Sequence, residues 1–223
     1  CVDSAGRPST AIRAARTAAA APLYLPIALR ERCIPDQRRV DVVLVIDASS
    51  SMQDPTSTGR PKIAAALDAA RIFLDNLQPA RGDQAAIVAF NTDATLIQPL
   101  TTDRAALASA LARIQIAPQT CLVCGVEAAD AELAGPRHRP DHAATMIVLT
   151  DGRSNPRPAG EAVERAAVAK ARGVTVFTIG LGNDLDAEAL TAMASRPAFA
   201  YRAPDAEDLA GVYRGALHRL PCR

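Results

Sequence analysis

Residues 41–52, DVVLVIDASSSM, constrain the fold more than any other stretch of the chain. After Asp41 come five aliphatic residues, mostly β-branched, and the run stops at Asp47 and the serines that follow it. An unbroken apolar run of this length, bounded by polar residues, reads as a strand covered on both faces. Such a strand calls for a parallel sheet sandwiched between helices. Its polar end sets a carboxylate and two hydroxyls at alternate positions, Asp47, Ser49 and Ser51. Hard oxygen donors at the carboxyl edge of a parallel sheet suit a small divalent cation such as Mg2+. The same serines also suit a plain turn that caps the next helix.

Two distant segments bear on that choice. Residues 144–149 (ATMIVL) repeat the buried-strand pattern and end in Thr150, Asp151 and Gly152. Thr120 lies between, in PQTCLVCG, just ahead of a helical pattern. Together Asp47, Ser49, Ser51, Thr120 and Asp151 resemble the metal-ion-dependent adhesion site of von Willebrand factor type A (VWA) domains, bacterial exported members included. That signature is an Asp-x-Ser-x-Ser after the first strand, a lone Thr in mid-domain and an Asp in Thr-Asp-Gly after the fourth strand. The likeness runs from about residue 39 to about residue 220. It implies that the five residues hold Mg2+, with Mn2+ or Ca2+ as alternatives. It also implies that an Asp or Glu of a protein partner completes the ion's shell, read by the loops 53–59, 119–125 and 153–159. Arg60, Arg153 and Arg157 are expected, from loop position, to add positive charge. The sequence departs from the family at Gln119, where Gly is usual, and at the cysteines flanking Leu122 and Val123, which replace a customary Asn-Ile.

The rest of the chain alternates helical and strand patterns, which gives a doubly wound α/β fold: a Rossmann-like, mostly parallel six-stranded sheet flanked by helices. Helical patterns fall at 61–77, opened by Pro61, and at 103–114, 124–134, 160–172, 186–195 and 205–220. Strand patterns fall at 84–90, 174–179 and 198–202, and 94–99 reads as an antiparallel edge strand. In the helix at 160–172, Val163, Ala167 and Ala171 form one apolar face. Right-handed crossovers bring the loops after the parallel strands to one edge, which lets positions 47, 120 and 151 meet. The domain is expected to span 39–222, with residues 1–38 as an N-terminal tether. The apolar stretch at 18–29 is broken by Pro22 and Pro26 and is too short to cross a bilayer, so no direct membrane insertion is expected.

Composition excludes several functions. With 25 basic and 24 acidic residues the net charge is +1, so no field for nucleic acid or a membrane surface is present. There is no Trp, and aromatics make up 3% of the chain, which disfavours base stacking. Lysine occurs only at Lys62 and Lys170 in an Ala- and Arg-rich chain, a composition typical of GC-rich bacterial genomes. An enzyme is not expected. The histidines 138, 142 and 218 fall outside the metal loops, and neither a nucleophile elbow nor a P-loop is present. A zinc role for His138 and His142 has no other support in the sequence.

Five cysteines are many for a cytosolic chain. Cys121 and Cys124 form a C-x-x-C that fits a local disulfide, a redox pair or half a zinc site, the first preferred. In the fold that the resemblance implies, the chain ends lie close, so Cys33 and Cys222 are expected to pair. Cys1 is either the lipid-bearing cysteine of a bacterial lipoprotein or a cut site. These points favour an extracellular or cell-surface monomeric domain. Two other readings stay open: an intracellular assembly subunit of a metal-chelatase-type ATPase complex, and a scaffold whose metal is purely structural. The tripeptide Arg81-Gly82-Asp83 matches an integrin-binding motif, but a Gly-Asp turn is common at this point of the family.

Overall fold

The computed structural model describes residues 39–221. The tether, Cys1 and the expected Cys33–Cys222 pair lie outside the described residues.

The first strand, β1 (Val40–Asp47), is buried at every position. Its side chains alternate between two cores. Val40, Val42, Leu44 and Ile46 face one, and Val43 and Val45 face the other. This double burial is what the five-residue aliphatic run encodes. Around β1 stand β2 (Gln84–Phe90), β3 (Ala94–Thr101), β4 (Ala143–Thr150), β5 (Thr175–Leu181) and β6 (Ala200–Ala203). The sheet order is β3-β2-β1-β4-β5-β6, parallel throughout except for β3, which runs antiparallel on the edge. This agrees with the architecture expected from the sequence.

Among the described residues six α-helices cover the sheet: α1 (Lys62–Asp75), α2 (Arg104–Leu111), α3 (Leu122–Ala134), α4 (Ala159–Ala171), α5 (Ala187–Met193) and α6 (Leu209–Leu217). Helices α1, α2 and α6 pack on the Leu44 face, and α3, α4 and α5 on the Val45 face. Several helix boundaries differ from the sequence pattern. Pro61 is the cap of α1 rather than its first helical residue, because its ψ of 137° is extended. Helix α2 stops at Leu111, short of residue 114, and α3 begins at Leu122, earlier than residue 124. In α4 the inward face is Ala162, Ala166 and Ala169. Ala167 and Ala171 are exposed and Val163 is only half-buried, so the expected face is offset. An alanine-rich helix offers little contrast between its faces, so its inward side is set by what it packs against.

The end of the sheet opposite the Asp47 loop is closed by polar bonds. Asp41 is fully buried. It accepts from Nδ1 of His138 at 2.8 Å, Nδ1 of His142 at 2.7 Å, the Arg139 amide at 2.8 Å and Gln84 Nε2 at 3.0 Å. The two histidines thus clasp a carboxylate. Asp83 is also buried and accepts from the amides of Val40 and Gln78. The carboxylate of the Arg-Gly-Asp tripeptide is therefore spent on holding its own turn.

Candidate metal centre

The site forms where β1 and β4 end side by side. Their parallel register pairs Ile46 with Leu149, so Asp47 and Thr150 leave the sheet together. Asp47 is fully buried. Its Oδ1 accepts from the Ser49 amide at 2.8 Å and its Oδ2 from the Thr150 hydroxyl at 2.6 Å. Beyond Asp47 the chain is pinned to its neighbours: the Ala48 amide donates to the Phe90 carbonyl, and the Ala117 amide donates to the Ala48 carbonyl. Met52, fully buried, anchors the turn from below.

The hydroxyls then face one another. Ser49 Oγ lies 3.1 Å from Ser51 Oγ, and Ser51 Oγ donates to Asp151 Oδ1 at 2.6 Å. Thr120 arrives from the third loop. Its amide and carbonyl both pair with the backbone of Asn155, beyond β4, at 3.1 and 3.0 Å. The next amide, Cys121, donates to the Asn91 carbonyl at the end of β2. A methyl built on Gly152 would stand 3.8 Å from Thr120 Oγ1 and 4.0 Å from Ser51 Oγ. Thr120 and Ser51 therefore border the same small volume, and all five residues singled out by the sequence meet at one edge.

The donor chemistry fits a hard cation. Among the described residues no three His, Cys, Asp or Glu side chains converge on a point. The cluster is instead two carboxylates with three hydroxyls, a set suited to Mg2+ or Mn2+ and poorly suited to soft metals. Burial pushes the Asp47 carboxyl up to about 6, and the nearby Asp151 charge adds to this, while hydrogen bonds from Ser49 and Thr150 pull the other way. A carboxylate this buried, bonded by neutral donors, lacks the positive charge that would suit it.

Asp151 does have a cation. Its side chain is buried, and Oδ2 accepts from Lys62 Nζ at 2.9 Å. Burial pulls the Lys62 ammonium down, but the hydrogen bond and charge of Asp151, with Asp54 behind it, more than offset this and hold it above its usual value. The sequence motif does not single out Lys62. The available signal was its rarity, one of two lysines in an arginine-rich chain, beside the proline that caps α1. The three loop arginines are placed differently from expectation. Arg60 pairs with Asp68 and Glu207, Arg153 with Asp184, and Arg157 with Glu127 and Glu161. Each is occupied by a carboxylate outside the site.

The loop carrying Thr120 has two special features. Gln119 has φ of +68°, a left-handed conformation that favours glycine, in keeping with the glycine that the family resemblance leads one to expect there. The sulfurs of Cys121 and Cys124 are bonded across the first turn of α3, with Cα atoms 5.3 Å apart.

The chain is similar to several known proteins. A UPF0353 protein of Mycobacterium avium is 34% identical over 162 residues, covering 67% of this chain and 46% of that protein. The chain thus spans about half the length of the curated relatives it matches. Among solved structures, proximal thread matrix protein 1 of the mussel byssus, with a zinc-occupied MIDAS motif, superposes at TM-score 0.67 and 23% identity, covering 82% of this chain and 46% of that one. The von Willebrand domain of the type V pilus tip protein Mfa5 from Porphyromonas gingivalis superposes at TM-score 0.72 and 16% identity, over 82% of this chain and 95% of that one. The family model of the von Willebrand factor type A domain matches residues 41–214. On that match, which takes in every strand of the sheet after Val40, the chain belongs to the von Willebrand factor type A family.

Proposed function

We propose that this domain binds a divalent cation, Mg2+ in the first place, through Asp47, Ser49, Ser51, Thr120 and Asp151, and uses it to hold an acidic residue of a protein partner. The observation that carries the reading is the meeting of five hard oxygen side chains from three loops, three hydroxyls and two buried carboxylates. Asp47 supplies a negative charge with no cation paired to it among the described residues. Ser51 donates its hydroxyl to Asp151, Ser49 Oγ lies beside Ser51 Oγ, and the Asn155 bridge holds Thr120 near them. When bound, the ion supplies an electrophilic centre for a carboxylate oxygen from outside. The zinc-occupied site of the mussel protein supports a metal here, and the pilus neighbour supports an adhesive use.

An exported, surface-exposed setting fits the bonded Cys121–Cys124 pair better than the chelatase-subunit alternative does. Thiol titration of denatured, unreduced protein distinguishes the two. Four oxidised cysteines support export, and five free thiols support an intracellular subunit.

Anomalous diffraction from crystals soaked in Mn2+ tests the site itself. The expected result is a peak at coordination distance, about 2.2 Å, from the Ser49 and Ser51 hydroxyls. A peak elsewhere, or none with acetate present, contradicts the proposal.

A further inference from the structure

Asp151 divides its two oxygens between different tasks. Oδ1 faces the hydroxyl cluster through Ser51, and Oδ2 is held by the Lys62 ammonium. Lys62 is fixed there by its place in the fold. It opens α1 directly after the capping Pro61, and its amide donates to the Asp54 carbonyl at 3.0 Å, tying the helix start to the Ser51 turn. Its side chain is 22% exposed, against full burial for Asp151. Of the charged groups near Nζ, the other is Asp54, at 3.6 Å but 64% exposed, so water screens it. The arginines of the neighbouring loops are paired elsewhere, as described above.

We propose that Lys62 is the specificity-determining residue of this site, a built-in cation that makes an external carboxylate, rather than the metal alone, the group that brings the occupied site to neutrality. The inference rests on the metal-binding reading above. With Lys62 present, Asp47 and Asp151 leave the empty site one negative charge. A divalent ion turns that into one positive charge, and a single carboxylate from a partner cancels it. Without Lys62 the two aspartates balance the ion by themselves, and an arriving carboxylate leaves an excess negative charge in a poorly solvated place. Lys62 therefore weakens the metal and strengthens the acidic ligand, so that each favours the other. A lysine that only positioned Asp151 would act with the opposite sign on the metal.

The test is calorimetric titration of Mn2+ into the wild type, Lys62→Met and Lys62→Arg, each with and without acetate. Lys62→Met is expected to bind Mn2+ alone about tenfold tighter or more. Acetate is expected to raise the Mn2+ affinity of the wild type clearly more than that of Lys62→Met, and Lys62→Arg to restore the wild-type pattern. Equal or weaker Mn2+ binding by Lys62→Met, or the same acetate effect in both, overturns the assignment and leaves the metal site standing. Absence of Mn2+ uptake by every protein, acetate included, removes the metal site and the role of Lys62 together.

Discussion

At the scale of single residues, Asp47 makes the sharpest statement about pH. Burial raises its carboxyl from 3.8 to about 6, so between those values the folded metal-free domain binds a proton that the unfolded chain releases. Stability from this group is therefore present at low pH and lost as pH rises through that window, by about 3 kcal/mol in all. Other carboxylates, such as Glu132 beside Arg137, are held below their ordinary value and act in the opposite direction. The difference between wild type and Asp47→Asn isolates the effect. Denaturant melts from pH 4 to 7 are expected to show the wild type losing ground to the variant as pH rises. Metal binding needs the proton removed, so Mg2+ affinity is expected to fall about tenfold per pH unit below about pH 6 and level off above it. Gln119 gives a second residue-scale prediction. A left-handed non-glycine costs about 1–2 kcal/mol, part of which glycine's greater chain entropy takes back. Gln119→Gly is expected to gain about 1 kcal/mol in urea unfolding. The glycine usual at this position marked Gln119 in the sequence, but its positive φ was visible only in the structure. Lys62 was harder still to read, because nothing in a lysine after a proline says which carboxylate it will reach across 89 positions.

At the scale of elements, the placement of Thr120 depends on how closely α3 lies on the sheet. Gly125 permits it: a Cβ there would stand 2.8 Å from the Phe90 ring and 2.9 Å from Val45 Cγ1. Gly125→Ala is expected to cost about 1–3 kcal/mol in thermal or urea unfolding and to weaken Mn2+ binding by shifting the Thr120 loop. Gly160, in α4, has open space around it, and Gly160→Ala is expected to gain about 0.5 kcal/mol. Equal effects from the two substitutions would contradict the packing argument. The strands were the most legible elements, since β1 and β4 are aliphatic runs that only double burial explains. Helix faces were less so. Leu209 and Tyr213 of α6 stand out by size among small residues, whereas the alanines of α4 do not.

At the scale of the whole molecule, the sheet has a sealed end and an open one. At Asp41 four hydrogen bonds satisfy one buried carboxylate with protein donors alone. At Asp47 the chain gathers oxygens and leaves their charge only partly offset. The first arrangement stabilises the fold, and the second leaves a buried charge that the proposed metal would relieve. The sequence motif named the five residues of the open end in order, because parallel strands with right-handed crossovers leave no other edge for them. The motif did not disclose the counter-charges around them, since salt bridges across the fold have no sequence period. Saturating Mg2+ is accordingly expected to stabilise the domain by about 2–3 kcal/mol at a hundredfold excess over its dissociation constant. Differential scanning calorimetry with and without a chelator measures this.

The most direct measurement is titration of Mn2+ into metal-stripped wild type and Asp47→Ala, with acetate present and with circular dichroism to show that both are folded. The account predicts one ion bound by the wild type and none by the variant. Equal uptake by both proteins, or none by the wild type, would contradict it.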